Sequence, residues 1–267
     1  MTAQAILQTE KLSVTFGGLR AVADLDLRVD PGQLVGLIGP NGAGKTTCID
    51  ALTGFVRSTG RITFDGKDLT GWPGHRRAKA GLLRTWQSSE LFTDLTVAEN
   101  LMVGAEHDSL FQALADLVAP ARKRPSGNVH EYLAAFDLEH LADRLPSELS
   151  HGQRKLVGVA QALAAEPKLV LIDEPAAGLD THESVELGRH LRSVVDSGPA
   201  ILLIDHDMGL VLSVCDYLYV LDAGRLIAEG PPAEIRRNEQ VLAAYLGETP
   251  DHDDGGQAVD GAVVGGP

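Results

Sequence analysis

The chain has 267 residues, of which 44% are hydrophobic and 22% are charged, and its formal net charge is −14. This composition is typical of a globular protein with one large core, or with a core and a smaller attached lobe. The negative charge disfavours a nucleic-acid partner, because a nucleic-acid surface needs clusters of Lys and Arg. No stretch approaches the roughly 18 to 20 consecutive apolar residues that span a bilayer, and the first residues do not resemble a secretory signal. The two cysteines, Cys48 and Cys215, show no metal-binding spacing, so we expect a protein of the reducing cytosol.

The first part of the chain, residues 1 to about 95, contains short apolar runs separated by Gly, Asp and Pro. The clearest predicted strand is Leu34–Ile38, which is followed by a glycine-rich loop and by a helix that begins near Lys45. We therefore expect a β-rich start that leads into a strand–loop–helix unit.

Residues from about 96 to 150 differ from the preceding part, because they show helical periodicity and no convincing strand. From Gly152 onward, helices and apolar strands alternate. The predicted helices are 153–165 and 182–195, and the predicted strands are 169–173 and 201–205. Such alternation indicates a parallel sheet flanked by helices, so we interpret residues 96–150 as a helical subdomain inserted between two α/β halves.

The last residues, 248–267, contain many Gly and Asp and neither Lys nor Arg. Their few apolar residues cannot bury enough surface to offset the entropy lost on ordering. We therefore predict a disordered, acidic and glycine-rich tail that follows a domain of residues 1–247.

A phosphate-binding loop is the strongest motif of the chain. Residues 39–46 read Gly-Pro-Asn-Gly-Ala-Gly-Lys-Thr and fit the pattern G-x-x-x-x-G-K-[ST] between an apolar strand and a helix. Backbone N–H groups of such a loop surround phosphates, while Lys45 can reach the β- and γ-phosphates and Thr46 can bind Mg²⁺. The predicted nucleotide-binding residues here are Gly39, Pro40, Asn41, Gly42, Ala43, Gly44, Lys45, Thr46 and Thr47.

Two carboxylates end the predicted strand 169–173. Asp173 lies at the carboxyl end of the strand, where it can hold Mg²⁺ through water. Glu174 follows outside the strand and can act as the general base, or can orient water, in line with the γ-phosphate. A strand that ends in Asp-Glu means little alone, and the functional interpretation depends on the phosphate loop.

A second candidate anion site begins the helix predicted at 153–165. Ser150 is a good N-cap, and Gln153 three residues later forms a capping box with it. The same geometry brings together a hydroxyl, free N–H groups and the positive end of the helix dipole. Capping and anion binding are compatible roles for this helix start, so we expect it to have both.

The order of these motifs is informative. A phosphate loop, then a Leu-Ser-x-Gly-Gln helix start, then a strand ending in Asp-Glu resembles the ATPases of ABC transporters, over residues 5 to about 247. The resemblance implies that Phe16 stacks on adenine, that Gln87 is the glutamine of the Q-loop and that His206 is the switch histidine. Residues 177–180 correspond to the D-loop.

Several stretches are similar to the ATPases of branched-chain amino-acid importers in particular. These are residues 13–22, 84–87, 173–180, 205–208 and 244–248. Urea importers and the ATPase of lipopolysaccharide export share much of this pattern, so a urea or amide importer and a lipid exporter stay open as alternatives. A non-transport ABC ATPase is less favoured, because such relatives usually carry two cassettes or a long coiled coil, together with basic surfaces, whereas this chain has one cassette and is acidic.

Two departures from the family pattern lie at the start of the signature helix and in the D-loop. His151 stands where many relatives have glycine, and the D-loop begins with Ala177 instead of serine. Neither change removes a group that must contact phosphate, since Ser150 and Gly152 are kept. We interpret His151 as an exposed loop histidine.

The resemblance implies an α/β fold, namely a P-loop NTPase core with an antiparallel β subdomain and the inserted helical subdomain. It also implies an ATPase that uses ATP and Mg²⁺. The implied catalytic residues are Glu174, His206, Lys45 and Gln87, and the implied metal ligands are Thr46, Gln87 and Asp173.

The resemblance further implies a head-to-tail dimer with a second ATPase subunit, identical or paralogous, in which Ser150, Gly152 and Gln153 contact the nucleotide of the partner. The other implied partners are transmembrane permease subunits and, indirectly, an external substrate-binding protein. The expected location is the cytoplasmic face of the cell membrane, peripherally through the permease. The importer interpretation implies uptake of branched-chain or other hydrophobic amino acids.

Overall fold

The computed structural model describes residues 4–85, 91–105 and 127–246. Gln87 and the predicted tail lie outside the described residues. In chain order the strands are β1 Leu7–Phe16, β2 Leu19–Val29, β3 Leu34–Ile38, β4 Thr59–Phe64, β5 Lys67–Asp68, β6 Leu82–Arg84, β7 Leu169–Asp173, β8 Ala200–Ile204, β9 Tyr217–Asp222 and β10 Arg225–Gly230. The helices are α1 Lys45–Thr53, α2 Gly74–Lys79, α3 Val97–Ala105, α4 Gly127–Ala135, α5 His151–Ala164, α6 Thr181–Ser197, α7 Met208–Val214, α8 Pro232–Ile235 and α9 Glu239–Leu246.

The first sheet is antiparallel and has the order β2-β1-β4-β5. Strands β1 and β2 form a long hairpin in which Phe16 pairs with Leu19 next to the turn. Buried and exposed residues largely alternate along these strands, because one face of the sheet covers the core and the other faces solvent. This sheet confirms the expected antiparallel β subdomain.

The second sheet has the order β10-β9-β3-β8-β7-β6, and its strands are parallel except for the edge strand β10. All residues of β3, β7 and β8 are buried, which explains why these segments appear as continuous apolar runs in the sequence. The predicted helices and strands are present with ends shifted by up to two residues. The α/β P-loop fold class is thereby confirmed.

Alternate residues of the parallel strands belong to two different hydrophobic clusters. In β7, Val170 and Ile172 pack into one cluster, together with the helical elements that follow residue 96. Leu169 and Leu171 pack into the other, with helix α1 and the antiparallel sheet. The parallel sheet is therefore a central layer with a core on each face.

The segment after residue 96 is helical in its described part. Helix α3 begins with a reciprocal capping box, in which the Glu99 N–H donates to the Thr96 hydroxyl and the Thr96 N–H donates to the Glu99 carboxylate. Helices α3 and α4 are followed by short 3₁₀ turns at Glu139–Leu141 and Pro146–Glu148. No strand lies between 96 and 150 among the described residues. The boundaries of the inserted subdomain stay a prediction.

The structure contains no helix, within its described ranges, that is long and apolar enough to cross a membrane.

The burial of the central sheet predicts that shortening one of its core side chains destabilises the protein. Leu202 in β8 is fully buried, whereas Leu19 at the hairpin turn is 72% exposed. We expect Leu202→Ala to lower the free energy of unfolding by about 2–5 kcal/mol, because it removes buried methyl groups and leaves a cavity. Leu19→Ala, the matched control, should change it by less than about 0.5 kcal/mol. Urea denaturation measures both, and equal effects would contradict the layer assignment.

Candidate active site

The phosphate loop connects β3 to α1. Gly44 is the N-cap of α1 with φ 100°, and no side chain caps the helix, so N–H groups of its first turn are available to an anion. The ammonium of the buried Lys45 donates to the carbonyls of Gly39, at 2.6 Å, and Pro40, at 2.9 Å. These bonds hold the lysine under its own loop. Thr46 is exposed at the start of the helix.

The β1–β2 hairpin packs against this loop. A Cβ added at Gly44 would lie 2.3 Å from the carbonyl oxygen of Ala21, so the two backbones are in close contact. The Gly224 N–H also contacts this loop and donates to the Ala43 carbonyl at 3.0 Å. Phe16, at the end of β1, is 51% exposed on the same hairpin. The hairpin that packs against the phosphate loop therefore carries an exposed aromatic ring.

Asp173 ends β7 and is buried beside an arginine. Arg84, at the end of β6, donates through Nη2 to Asp173 Oδ2 at 2.9 Å and through Nη1 to Asp50 of helix α1. Burial raises the pKa of the Asp173 carboxyl, while the hydrogen bond and charge of Arg84 oppose this effect. Removing one member of such a buried ion cluster is destabilising, because it leaves an uncompensated charge.

The second oxygen of Asp173 differs from the first. Asp173 Oδ1 is buried and accepts no hydrogen bond from the described part of the chain. A buried carboxylate oxygen without a donor is unfavourable unless a cation or an ordered water reaches it. This oxygen can therefore serve a bound cation.

Glu174 leaves the sheet in a left-handed backbone conformation with φ 48°. For a residue with a Cβ this conformation costs roughly 1–2 kcal/mol, and it persists only where the surroundings require it. The Glu174 N–H donates to the Ile204 carbonyl at 2.7 Å. Its carbonyl accepts from the Lys155 ammonium at 3.1 Å. These two hydrogen bonds hold the backbone of Glu174 in this conformation.

His206 follows the adjacent strand, β8. Its imidazole is exposed, and its Nδ1 lies 3.7 Å from Oδ1 of the fully buried Asp205. Asp205 Oδ2 accepts the Ala176 N–H at 2.9 Å, and Oδ1 accepts the Asp207 N–H at 2.9 Å. One carboxylate thus connects the turn after Glu174 with the turn that carries His206.

Helix α5 begins with the predicted capping box. Ser150 Oγ accepts the Gln153 N–H at 3.2 Å, and Gln153 Oε1 accepts the Ser150 N–H at 2.9 Å. His151 is exposed, as expected, and a Cβ added at Gly178 would lie 3.2 Å from its Nε2. His151 therefore lies beside the D-loop. Gly152 is buried close to Glu183, whose carboxylate would be 2.5 Å from an added Cβ.

The predicted site residues occupy three parts of the fold. The phosphate loop, Asp173, Glu174 and His206 follow the carboxyl ends of neighbouring parallel strands and share one edge of the sheet. Phe16 belongs to the antiparallel sheet, and the Ser150 box belongs to the start of α5. Sequence reasoning did not find Lys155, Asp205, Arg84 and Asp50 as contributors. In the sequence, the only indication of their contribution is that these polar residues occur where the apolar pattern predicts burial.

Fold and loop together define a P-loop nucleotide-binding protein. The sequence family described as ABC transporter matches residues 22–177, which is more than half of the chain. A second family, described as branched-chain amino acid ATP-binding cassette transporter, matches residues 225–251. The chain therefore belongs to the ATP-binding subunits of ABC transporters.

Individual proteins agree with this family. The chain is 40% identical over 252 residues to the high-affinity branched-chain amino acid transport ATP-binding protein BraF of Pseudomonas aeruginosa, covering 91% of this chain and 98% of that protein. It is 39% identical over 245 residues to the lipopolysaccharide export system ATP-binding protein LptB of Escherichia coli, covering 91% and 98%. The ADP conformation of an ABC-transporter ATP-binding cassette superposes with a TM-score of 0.78 at 32% identity, covering 92% and 100%.

These findings confirm the nucleotide-binding ABC ATPase predicted from the motif order. The chain is an ATP-hydrolysing subunit that works as a component of a transporter. The roles of individual residues stay predictions.

The close contact at Gly44 can be tested by substitution. Gly44→Ala introduces left-handed strain and places a methyl group 2.3 Å from the Ala21 carbonyl. We expect ATP affinity to fall at least about tenfold, which requires only about 1.4 kcal/mol. Gly71→Ala is the control, because Gly71 also has positive φ but an added Cβ there meets nothing within 4 Å. It should lower stability slightly and leave ATP affinity, measured with a fluorescent nucleotide, unchanged. An unchanged affinity in Gly44→Ala would contradict this loop geometry.

Proposed function

We propose that this chain powers uptake of branched-chain or other hydrophobic amino acids through a separate permease. The observation that carries the proposal is the match of residues 225–251 to the family of branched-chain amino acid ATP-binding cassette transporters. That segment includes β10, α8 and α9, which lie outside the general ABC match at 22–177. The likeness to BraF over nearly the whole chain supports the same substrate class.

The reaction is ATP + H₂O → ADP + phosphate, and catalysis is mainly positioning and charge stabilisation. Lys45, already held by its loop, is placed to neutralise charge on the β- and γ-phosphates. Glu174 accepts a proton from the attacking water or orients it, and His206 contacts the γ-phosphate from the neighbouring strand end. Phe16 stacks on the adenine, which an exposed ring on the hairpin next to the loop can do.

The residues present fit a bound Mg²⁺. The buried Asp173 Oδ1 accepts no hydrogen bond within the described ranges, and oxygen ligands are the preference of this ion. Thr46, Asp173 and Gln87 would hold the ion, directly or through water. When bound, Mg²⁺ neutralises negative charge on the β- and γ-phosphate oxygens. Arg84 orients the Asp173 carboxylate through its other oxygen.

The active assembly is a head-to-tail dimer with an identical or paralogous subunit. The start of α5 supports this proposal, because Ser150 and Gln153 leave a hydroxyl and the positive helix end exposed. In the dimer, Ser150, Gly152 and Gln153 bind the γ-phosphate side of the nucleotide held by the partner's phosphate loop. Each chain thus contributes to two sites.

Permease subunits dock beside the inserted helical subdomain, and the chain is held peripherally at the cytoplasmic face of the cell membrane through them. Phe92 supports this surface, because its side chain is 51% exposed while the preceding Leu91 is buried. Asn100 fixes the segment, since its side chain bonds to both the N–H and the carbonyl of Phe92. A rigid exposed aromatic side chain suits a partner's pocket. An external substrate-binding protein delivers the amino acid to the permease.

A lipid exporter is the second candidate, favoured by the 39% identity to LptB. That identity is close to the 40% shared with BraF, so it does not separate the two substrates. The match of residues 225–251 favours the importer. A urea or amide importer stays an alternative on sequence resemblance.

The role of Glu174 is tested by Glu174→Gln. The amide keeps the shape of the side chain and loses the base, so we expect turnover to fall at least about 100-fold with ATP affinity retained. The variant should accumulate an ATP-bound dimer, which light scattering detects. Glu229→Gln, at an exposed position in β10, is the control and should behave as the wild type. Near-wild-type hydrolysis by Glu174→Gln would show that its proposed role is wrong.

The same variant tests the substrate class in cells. In a host lacking its own copy, the wild-type chain with its permease should restore uptake of labelled leucine, whereas Glu174→Gln should not. Restoration of urea uptake without leucine uptake would overturn the amino-acid proposal in favour of the amide importer.

The docking surface is tested by Phe92→Asp. We expect the free subunit to fold and hydrolyse ATP normally but to lose assembly with the permease, because a carboxylate cannot enter an apolar pocket without a partner. Leu242→Asp is the matched control, since Leu242 is 49% exposed on α9. Co-purification with the permease measures assembly, and normal assembly of Phe92→Asp would contradict the surface.

A further inference from the structure

The turn that carries Glu174 is held by a residue of helix α5. Glu174 has a positive φ, and its carbonyl accepts from the Lys155 ammonium at 3.1 Å and from the Ala177 N–H at 3.3 Å. A strained backbone of this kind persists only where several surrounding contacts hold it in that conformation. The direction of the Glu174 side chain therefore depends on the groups that bind its carbonyl.

Lys155 is a buried cation whose surroundings lie on the catalytic turn. Its side chain is on α5, five residues after Ser150, and it is only 8% exposed. Burial lowers the pKa of its ammonium, while the charges of Asp205 and Glu174 raise it. A buried ammonium requires compensating partners, and these two acids and the Glu174 carbonyl provide them. The charge of Lys155 thus acts on the Glu174 turn and on Asp205.

Asp205, the residue that follows strand β8, belongs to the same arrangement. It is fully buried, and its two oxygens accept the N–H groups of Ala176 and Asp207. Ala176 lies two residues after Glu174, and Asp207 lies one residue after His206. Lys155 and Asp205 therefore hold the turns of both predicted catalytic side chains from within the protein interior.

We propose that Lys155 is a positioning residue for hydrolysis, which with Asp205 connects the start of α5 to the Glu174 turn of the same chain. The inference rests on the role proposed above for Glu174. In the proposed dimer, the start of α5 contacts the partner's nucleotide, whereas Glu174 faces the chain's own nucleotide. Lys155 therefore connects the two half-sites within one chain. Binding of the partner's nucleotide at the start of α5 then positions Glu174 at the chain's own nucleotide.

The test is Lys155→Met in the full chain, because Met keeps the length and apolar stem of the side chain and removes its donor. We expect kcat to fall about 10- to 100-fold, since a small misplacement of a catalytic group has effects of this size. KM for ATP should stay within about threefold, because the lost interaction acts in the transition state. Lys155→Arg should restore part of the rate. Lys168→Met is the control, because Lys168 is exposed and pairs with Asp65.

A second measurement separates positioning from a merely structural role. The double variant Glu174→Gln/Lys155→Met should form the ATP-bound dimer to the same extent as Glu174→Gln, since the Ser150 capping box is not altered. Loss of that dimer in the double variant would overturn the inference, because Lys155 would then support the fold of α5 and not the Glu174 turn. Both variants are compared by light scattering at the same ATP and protein concentrations.

The outcomes distinguish this inference from the proposed function. If Glu174→Gln is inactive and Lys155→Met hydrolyses ATP at a rate within about twofold of the wild type, the positioning role is wrong and the role of Glu174 stands. If Glu174→Gln itself hydrolyses ATP at the wild-type rate, the proposed role of Glu174 is wrong, and the inference about Lys155 falls with it.

Discussion

The burial of three neighbouring parallel strands on both faces is the constraint on which the site depends. Strands β3, β8 and β7 are fully buried and adjacent, so their carboxyl ends meet at one edge of the sheet. The chain leaves each strand there, so the polar side chains that follow the strands can reach solvent at that edge. The phosphate loop, the Asp173–Glu174 pair and the Asp205–His206 pair follow these three strands. Parallel strand order thus assembles a site from residues far apart in the sequence.

The polar groups buried at this edge require positively charged partners, and these come from outside the three strands. Arg84 comes from the sheet edge at β6 and stands between Asp173 and Asp50. Lys155 comes from α5 and reaches the carbonyl of Glu174. In this acidic protein, these two cations contact the Asp173 carboxylate and the Glu174 carbonyl, and Asp173 Oδ1 accepts no hydrogen bond from the described residues. Stability of the fold and geometry of the site therefore depend on the same contacts.

Much of the fold and part of the site could be predicted from short sequence patterns. The phosphate loop depends on glycines and a lysine at fixed spacing, and the capping box depends on Ser150 and Gln153 three residues apart. Both patterns span only a few residues, and the structure has the phosphate loop and the capping box at the predicted positions. The buried strands were predictable because a run such as Leu169–Asp173 is continuously apolar before its acid. Leu91 and Phe92 are adjacent and both apolar, so the local pattern does not distinguish them, whereas the structure buries the first and exposes the second.

The sequence by itself therefore determined the motifs and the individual helices and strands, because each is encoded within about ten to twenty consecutive residues. It also determined the family, because these motifs follow one another in a characteristic order along the chain. Only the tertiary structure decided which side chains support the turn that carries Glu174. Arg84 and Asp173 are 89 positions apart, and Lys155 and Glu174 are 19 apart. These pairs meet because β6 lies beside β7 and because α5 packs near the end of β7. Strand order and helix placement follow from the burial of both sheet faces together, and no local period specifies them.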